Sequence, residues 1–484
     1  MEIYGKYDVV VVGGGASGCG AAIGAARAGA KVILIESLGV LGGMMNVSGP
    51  PGWAFSHLWN DAGEQIMGGL VAETHQRLLE EGHALPYPAP ELRHQNAYAF
   101  VDPDWWGLLI FEMMRENNVT LLLHTLAVDV IKQGDVVKGV IVENTNGRMC
   151  VMGKVIIEAT GEGDIGVRAG VPYTKVDRTQ EELDPPSITF HMDGIDWDVV
   201  TANLKERYSK MDSRNPYMAS SRDRVMNCNS IVDLVKAGIM GTIDYRELSL
   251  QAQAAGELTE FGDFGHFFTP RDGGHIQAIF QHTAQVPDCD TTDITEWSYG
   301  EMEARRQAVI AMKAIRKYLP GYENAYLTRI TSCMRTREGR HMIGDYIMQA
   351  EDISANRKFP DVIAKAAFAA NRGGPFHTTQ IPGGAINTAR RERFEVHDGG
   401  SYDIPYRSLV AKGVENMLLA GKLVSVSEDF KRDQLPDNII SGQACGVAAA
   451  ICARKGITPR QLEDDVTELQ EILVKQGAIL TGTK

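Results

Sequence analysis

No run of about 18 apolar residues, the length that spans a bilayer as a helix, occurs anywhere in the 484-residue chain. The apolar stretch nearest the N-terminus, Val9 to Val12, is far shorter than a signal-peptide core and runs into glycines. Basic charge is scarce. Lys and Arg number 48 against 62 Asp and Glu, a net charge of -14 without a basic patch, which disfavours nucleic acid, including a tRNA substrate, and anionic membranes as partners. Paired cysteines are also missing. The seven (Cys19, Cys150, Cys228, Cys289, Cys333, Cys445, Cys452) are scattered and include no C-x-x-C, so zinc, iron-sulfur and thioredoxin-like sites drop out and a reduced, cytoplasmic protein is expected. Internal repeats and low-complexity tracts are lacking. What remains, 44% hydrophobic and 23% charged residues, is the composition of an ordinary globular chain. Its length suggests two or three domains, or one large domain with an insertion.

The order of apolar runs and glycines sets the expected architecture. Asp8–Val12 reads as a buried strand, Ala21–Ala30 as a helix of small residues and Lys31–Glu36 as a parallel partner strand, one βαβ unit. Ile66, Leu70, Val71, Leu78 and Leu79 predict an amphipathic helix. Val140–Val142, the Asn146-Gly147 turn and Cys150–Val151 predict an antiparallel hairpin, and Val155–Ile157 a further buried strand ending at Ala159-Thr160-Gly161. From 171 to 397 the composition shifts toward Asp, Pro, Met and aromatics, with a helix over Glu301–Tyr318 and a strand over Ile276–His282. Strand and small-residue helix return at Met417–Gly421 and Ile439–Ala453. The expected fold class is therefore α/β: a Rossmann-like domain with a parallel sheet, residues 1–170 and 398–484, split by an inserted α+β substrate domain over 171–397.

Gly13-Gly14-Gly15-Ala16-Ser17-Gly18 matches G-x-G-x-x-G between a strand and a helix, and Glu36 stands eighteen residues on, at the end of the next strand. Gly13, Gly15 and Gly18 permit the tight turn, the approach to a diphosphate and the helix packing. Backbone N–H groups around Ala16 and Ser17 at the helix start offer donors to phosphate. Glu36 accepts ribose hydroxyls and repels a 2′-phosphate, so FAD or NAD fits and NADP does not. The same string recurs at Gly161–Gly166, but Gly170-Val171-Pro172 leaves no room for a long helix. It is expected to be a strand-end loop against the same dinucleotide.

Gly39-Val40-Leu41-Gly42-Gly43-Met44, Ala159–Asp164, Asn416–Gly421 and Gly442–Gly446 together resemble the flavin-contact motifs of the FAD-dependent oxidoreductase family, similar in fold to glutathione reductase and fumarate reductase flavoproteins. Motifs in the 171–397 region, among them Leu319–Tyr326 and Arg337–His341, extend the resemblance to nearly the whole chain. It implies FAD as cofactor, with Gly42, Gly43 and Met44 beside the flavin, Val128 near adenine, Thr160 and Gly161 against the dinucleotide and Gly421 near the ribityl chain. The helix that begins near Asn438 and Ile439 is expected to aim its positive end at the flavin edge that carries negative charge when reduced. Met44 stands where succinate dehydrogenases have the histidine that links FAD covalently, so the flavin is expected to be non-covalent. Asp433, with Arg432 adjacent, occupies a position where relatives tend to have Arg, which leaves an arginine role there open.

The implied activity is hydride transfer between a small organic substrate and the flavin, with a separate electron acceptor or donor. The protein must then orient a C–H bond and manage a proton. His377, in the loop Gly373–Thr379, and the cluster Arg337, Arg340, His341 are the candidate catalytic residues; the cluster reads equally as a structural node around Glu338. The segment Phe261–Phe268 reads as pocket lining or as the edge of an aromatic core. His266, His275 and His282 lack a ligand spacing, and no metal is assigned. Two alternatives stay open: an electron-transfer subunit docked on an iron-sulfur partner, and a flavin monooxygenase. Substrate identity and self-association also stay open.

Overall fold

A computed structural model describes residues 1–49, 55–93, 97–178, 183–210, 216–239, 245–271, 274–372, 392–428, 430 and 434–482. Four consecutive valines have no polar face to turn to water. They close β1 (Glu2–Val12) at exposures of 2% or less. Helix α1 (Ala16–Arg27) follows, and β2 (Val32–Ile35) lies parallel to β1 with Val9 opposite Val32. The helix starts five residues earlier than the small-residue run predicts, because Gly18 and Gly20 sit where other backbone passes too close for a side chain. The amphipathic helix is α2 (Gly69–Glu80), which buries Leu70, Val71 and Leu78; α3 (Pro103–Glu116) joins the same core.

Next, β3 (Thr120–Leu122) pairs parallel to β2. A meander of β4 (Leu126–Gln133), β5 (Val136–Asn144) and β6 (Gly147–Glu158) is antiparallel, closed at Asn144 opposite Gly147 as the Asn-Gly turn predicts. The whole length of β1 runs parallel to Met149–Glu158 of β6. The sheet order is β3-β2-β1-β6-β5-β4. Helix α4 (Asp164–Ala169) has six residues and ends at Gly170, so the second glycine string opens no long nucleotide-binding helix.

Between these elements and the C-terminal region the chain builds a second sheet from β7 (Ser187–Asp193), β8 (Phe267–Arg271), β9 (His275–Gln285) and, after α5 (Ile294–Tyr318), β10 (Tyr326–Ile330). It is antiparallel throughout in the order β8-β9-β7-β10. Phe190, Phe268 and Phe280 from the sheet share a core with Ala304, Ala308, Ala311 and Ile315 of α5. Buried residues between Met348 and Ala370 belong to the first core instead, with α1, so the chain rejoins that core ahead of residue 398.

Finally β11 (Met417–Leu419) adds to the far end of β6, Leu418 opposite Ile157, and α6 (Leu435–Lys455) crosses α1. Every residue of α6 from Leu435 to Ala453 is buried. The two helix backbones touch: a methyl group on Gly442 would lie 2.0 Å from the Ser17 carbonyl oxygen, and one on Gly446 2.0 Å from that of Ala21. Among the described residues no helix is long and apolar enough to cross a membrane.

Candidate functional site

The turn after β1 is built by three interlocking segments. Gly13 adopts φ +103°, and its missing side chain leaves room for the Ala159 carbonyl, 2.4 Å from where a Cβ would stand. Gly18 lies against the Gly13 carbonyl. Glu36 reaches back to this turn: its Oε2 accepts from the Gly14 N–H at 2.6 Å, and its Oε1 from the Leu38 N–H at 2.8 Å and the Ser37 hydroxyl at 2.9 Å. The Gly42 N–H then donates to the Gly14 carbonyl at 2.8 Å, which sets Gly43 against Gly15. On the opposite side Glu158, fully buried, accepts from the N–H groups of Thr160 at 2.8 Å and Gly166 at 2.6 Å. Burial raises its pKa above the usual carboxylate range.

These segments surround a cavity of about 430 Å³. Of the residues expected at a cofactor, Gly13, Gly15, Ala16, Ser17, Glu36, Gly43, Met44, Thr160, Gly161 and Asn438 line it. Gly18, Gly42, Gly421 and Ile439 stand behind the wall and let it close: a Cβ on Gly421 would meet Ser17 at 2.6 Å, and the Ile439 carbonyl presses on Gly20. Val128 lies one residue beyond the lining stretch Thr125-Leu126-Ala127. The first turn of α6 has no side-chain cap, and Leu435 and Asn438 from that turn line the cavity. Asn438 Oδ1 is buried with no hydrogen-bond partner among the described residues.

The other wall is one that sequence reasoning missed. Trp297, Cys333, Met334 and Thr336 come to the cavity from the 171–397 region, and Lys422 follows Gly421 into it. Lys422 Nζ donates to Glu162 Oε1 at 2.7 Å, and the Thr336 hydroxyl donates to the same oxygen at 2.8 Å. Burial pushes the Cys333 thiol up to about 11, so it stays protonated near neutral pH. Only the adjacency of Lys422 to Gly421 carried a signal in the sequence.

Beyond Thr336 the basic cluster turns into protein. Arg340 donates to the Glu162 carbonyl at 2.7 Å and pairs with Asp164 at 2.9 Å. His341 Nε2 lies 2.9 Å from Glu338 Oε1, both residues buried. Arg337, also buried, donates to the Ser187 hydroxyl at 3.3 Å and to His282 Nδ1 at 3.4 Å. None of the three is among the cavity-lining residues. The aromatic segment resolves as core: Phe264, His266 and Phe268 are fully buried, and His266 bonds the Phe264 carbonyl and the Tyr322 hydroxyl. His275 pairs with Asp193. His377, Arg432 and Asp433 lie outside the described residues.

A parallel sheet with a glycine turn, a strand-end carboxylate and an uncapped helix start around one cavity is the arrangement of a dinucleotide-binding protein. The chain matches the family model for FAD dependent oxidoreductases over residues 8–473 and belongs to that family. It is an FAD-dependent oxidoreductase, with FAD as its cofactor. A curated relative, the digeranylgeranylglycerophospholipid reductase of Sulfolobus acidocaldarius, is 27% identical over 177 residues, covering 32% of this chain and 34% of that protein. The match thus spans about a third of the relative's length. Similar solved structures include a geranylgeranyl bacteriochlorophyll reductase-like protein of Thermoplasma acidophilum, at 12% identity and TM-score 0.43 over 97% of this chain and 82% of that one. Another is the p-nitrophenol 4-monooxygenase of Pseudomonas putida, at 12% identity and TM-score 0.45 over 98% and 86%.

Proposed function

We propose that this oxidoreductase transfers a hydride between a small organic substrate and non-covalently held FAD, with residues 1–170 and 398–484 as the nucleotide-binding part and 171–397 as the inserted part, which carries the substrate wall and packs back onto the nucleotide core at Met348–Ala370. The observation that carries this reading is the mixed lining of this cavity, nucleotide loops on one side and Trp297, Cys333, Met334 and Thr336 on the other. The residues present fit the cofactor. A Cβ on Gly15 would meet nothing within 4 Å and would fill the cradle, and Asn438 Oδ1, with no partner among the described residues, can accept from a bound group. When bound, FAD supplies a two-electron donor or acceptor.

The chain's own groups do the rest. Backbone N–H groups at the start of α1 would hold the diphosphate, and Glu36, whose Oε2 accepts only the Gly14 N–H and keeps a lone pair free of it while Oε1 already accepts two bonds, would take a ribose hydroxyl. The uncapped first turn of α6 would offer its N–H groups to the flavin, and Trp297 and Met334 would help keep water from the seam. His377 is the proposed proton handler. Arg337, Arg340 and His341 anchor the segment that carries Thr336, since each is bonded to protein. Met44 offers no nucleophile for a covalent link. Seven free thiols support a reducing, cytoplasmic setting.

Acid precipitation tests the linkage: a colourless pellet under a yellow supernatant is expected, and a yellow pellet would refute non-covalent binding. Anaerobic bleaching by organic substrates tests the reaction. Bleaching achieved only through a protein redox partner would instead favour the electron-transfer subunit.

A further inference from the structure

The cavity presents a charge problem to the cofactor assigned above. Its described lining includes three carboxylates, Glu36, Glu162 and Asp164, and a single cation, Lys422. A dinucleotide brings a diphosphate with about two negative charges, and the α1 N–H groups offset these only by dipole. Two of the chain's acids are already engaged: Glu36 by backbone N–H groups and Asp164 by Arg340. Lys422 is held by Glu162 Oε1 at 2.7 Å and the Thr336 hydroxyl at 3.4 Å, which accounts for two of its three N–H donors. The third remains for an acceptor in the cavity. Its place is set by Gly421, at φ +69°, which presses on Ser17 of the diphosphate turn so closely that a Cβ would stand 2.6 Å from the serine side chain.

We infer that Lys422 is the counter-charge of the cofactor's diphosphate, positioned by Glu162 from the nucleotide part and Thr336 from the inserted part. The inference rests on the FAD reading and adds a residue to it. It also means that the inserted segment grips the cofactor through Thr336, so the two parts of the chain meet at the diphosphate as well as at the reaction centre.

The test is equilibrium binding to apoprotein, with FAD, ADP and adenosine as probes; ADP carries the diphosphate without flavin and adenosine carries neither. Removing Lys422 alone would strand the buried Glu162 charge, so the double variant Glu162→Gln/Lys422→Met is compared with Glu162→Gln. The double variant is expected to bind FAD and ADP about tenfold or more weakly than Glu162→Gln, with a shallower salt dependence and unchanged adenosine binding. Glu162→Gln alone, which releases the amine from its partner, should bind ADP at least as tightly as wild type. FAD and ADP affinities within about twofold between the two variants would overturn the inference, as would an equal loss for adenosine, which marks a change of shape rather than charge. Wild-type FAD affinity is measured first, so failure of the cofactor reading shows in the wild type and failure of this inference only in the variants.

Discussion

Glu36 has two tasks that compete for the same oxygens. It ties the glycine turn to the end of β2 through the Gly14 N–H, and it lines the cavity where the proposed reading puts a ribose. Glu36→Gln keeps the shape but replaces one acceptor by a donor that opposes that N–H. Charge-assisted bonds of this type contribute about 1.5–3 kcal/mol, so FAD affinity should fall roughly tenfold or more in apoprotein titration. An unchanged dissociation constant would deny the carboxylate its role. Gly13 and Gly15 separate folding from binding on the same turn. Gly13→Ala forces a side chain into φ +103° and against the Ala159 carbonyl, and should destabilise the apoprotein. Gly15→Ala has an ordinary φ of -69° and open space ahead, so it should fold like wild type yet lose FAD. Equal melting temperatures and equal FAD binding for both variants would contradict this division.

Helix α6 shows how an element can be decided by its neighbour. Its small residues, and the polar Asp437, Asn438, Ser441 and Gln443 among them, form no amphipathic stripe, because the helix is covered on all sides. Backbone contact with α1 requires glycine at specific points. Gly442→Ala places a methyl 2.0 Å from the Ser17 carbonyl, an atom of fixed backbone, and overpacking of that kind costs about 1–3 kcal/mol. The expected result is a lower thermal midpoint together with weaker FAD binding, since Ser17 lines the cavity proposed to hold the cofactor. A variant that melts and binds FAD like wild type would show that the helices can separate without cost. The six-residue α4 carries the opposite lesson. Its glycine string matches a nucleotide motif letter for letter, and only the early stop at Gly170 removes the long helix such a motif needs.

Across the whole molecule, buried histidines set the response to acid. Burial is the leading cause that holds His75 and His266 down to about 4 and His191 to about 3, the last also repelled by Arg329 and Arg271. All three are therefore neutral in the folded chain near neutral pH, whereas in the unfolded chain they titrate near the ordinary imidazole value of 6.5. Below that pH the unfolded state takes up protons that the folded state refuses, so stability is fully present above it and falls toward pH 4. Each histidine contributes a slope of up to about 1.4 kcal/mol per pH unit. Urea midpoints between pH 7 and 4.5 should show this loss, and His191→Gln should flatten the slope by roughly one proton's share. A flat profile in the wild type would remove the histidines from the account.

The local chemistry of the chain was legible in its sequence: the βαβ unit, Glu36 at the strand end, the Asn-Gly hairpin and the small-residue helix all follow from periodicity and turn residues within a few positions of one another. Tertiary structure decided what spacing does not encode. Met417–Leu419 joins β6 across more than 250 residues, Met348–Ala370 rejoins the first core early, and Lys422, Glu162 and Thr336 meet at one wall from three separate stretches. Arg340 and His341 looked available in sequence because a string of letters shows charge but not partners; folding pairs them with Asp164 and Glu338. The physical reason is the same in each case. Turns and periodic faces are short-range constraints on the backbone, whereas cavity walls and ion pairs arise when distant segments are buried together and each buried charge must find its opposite.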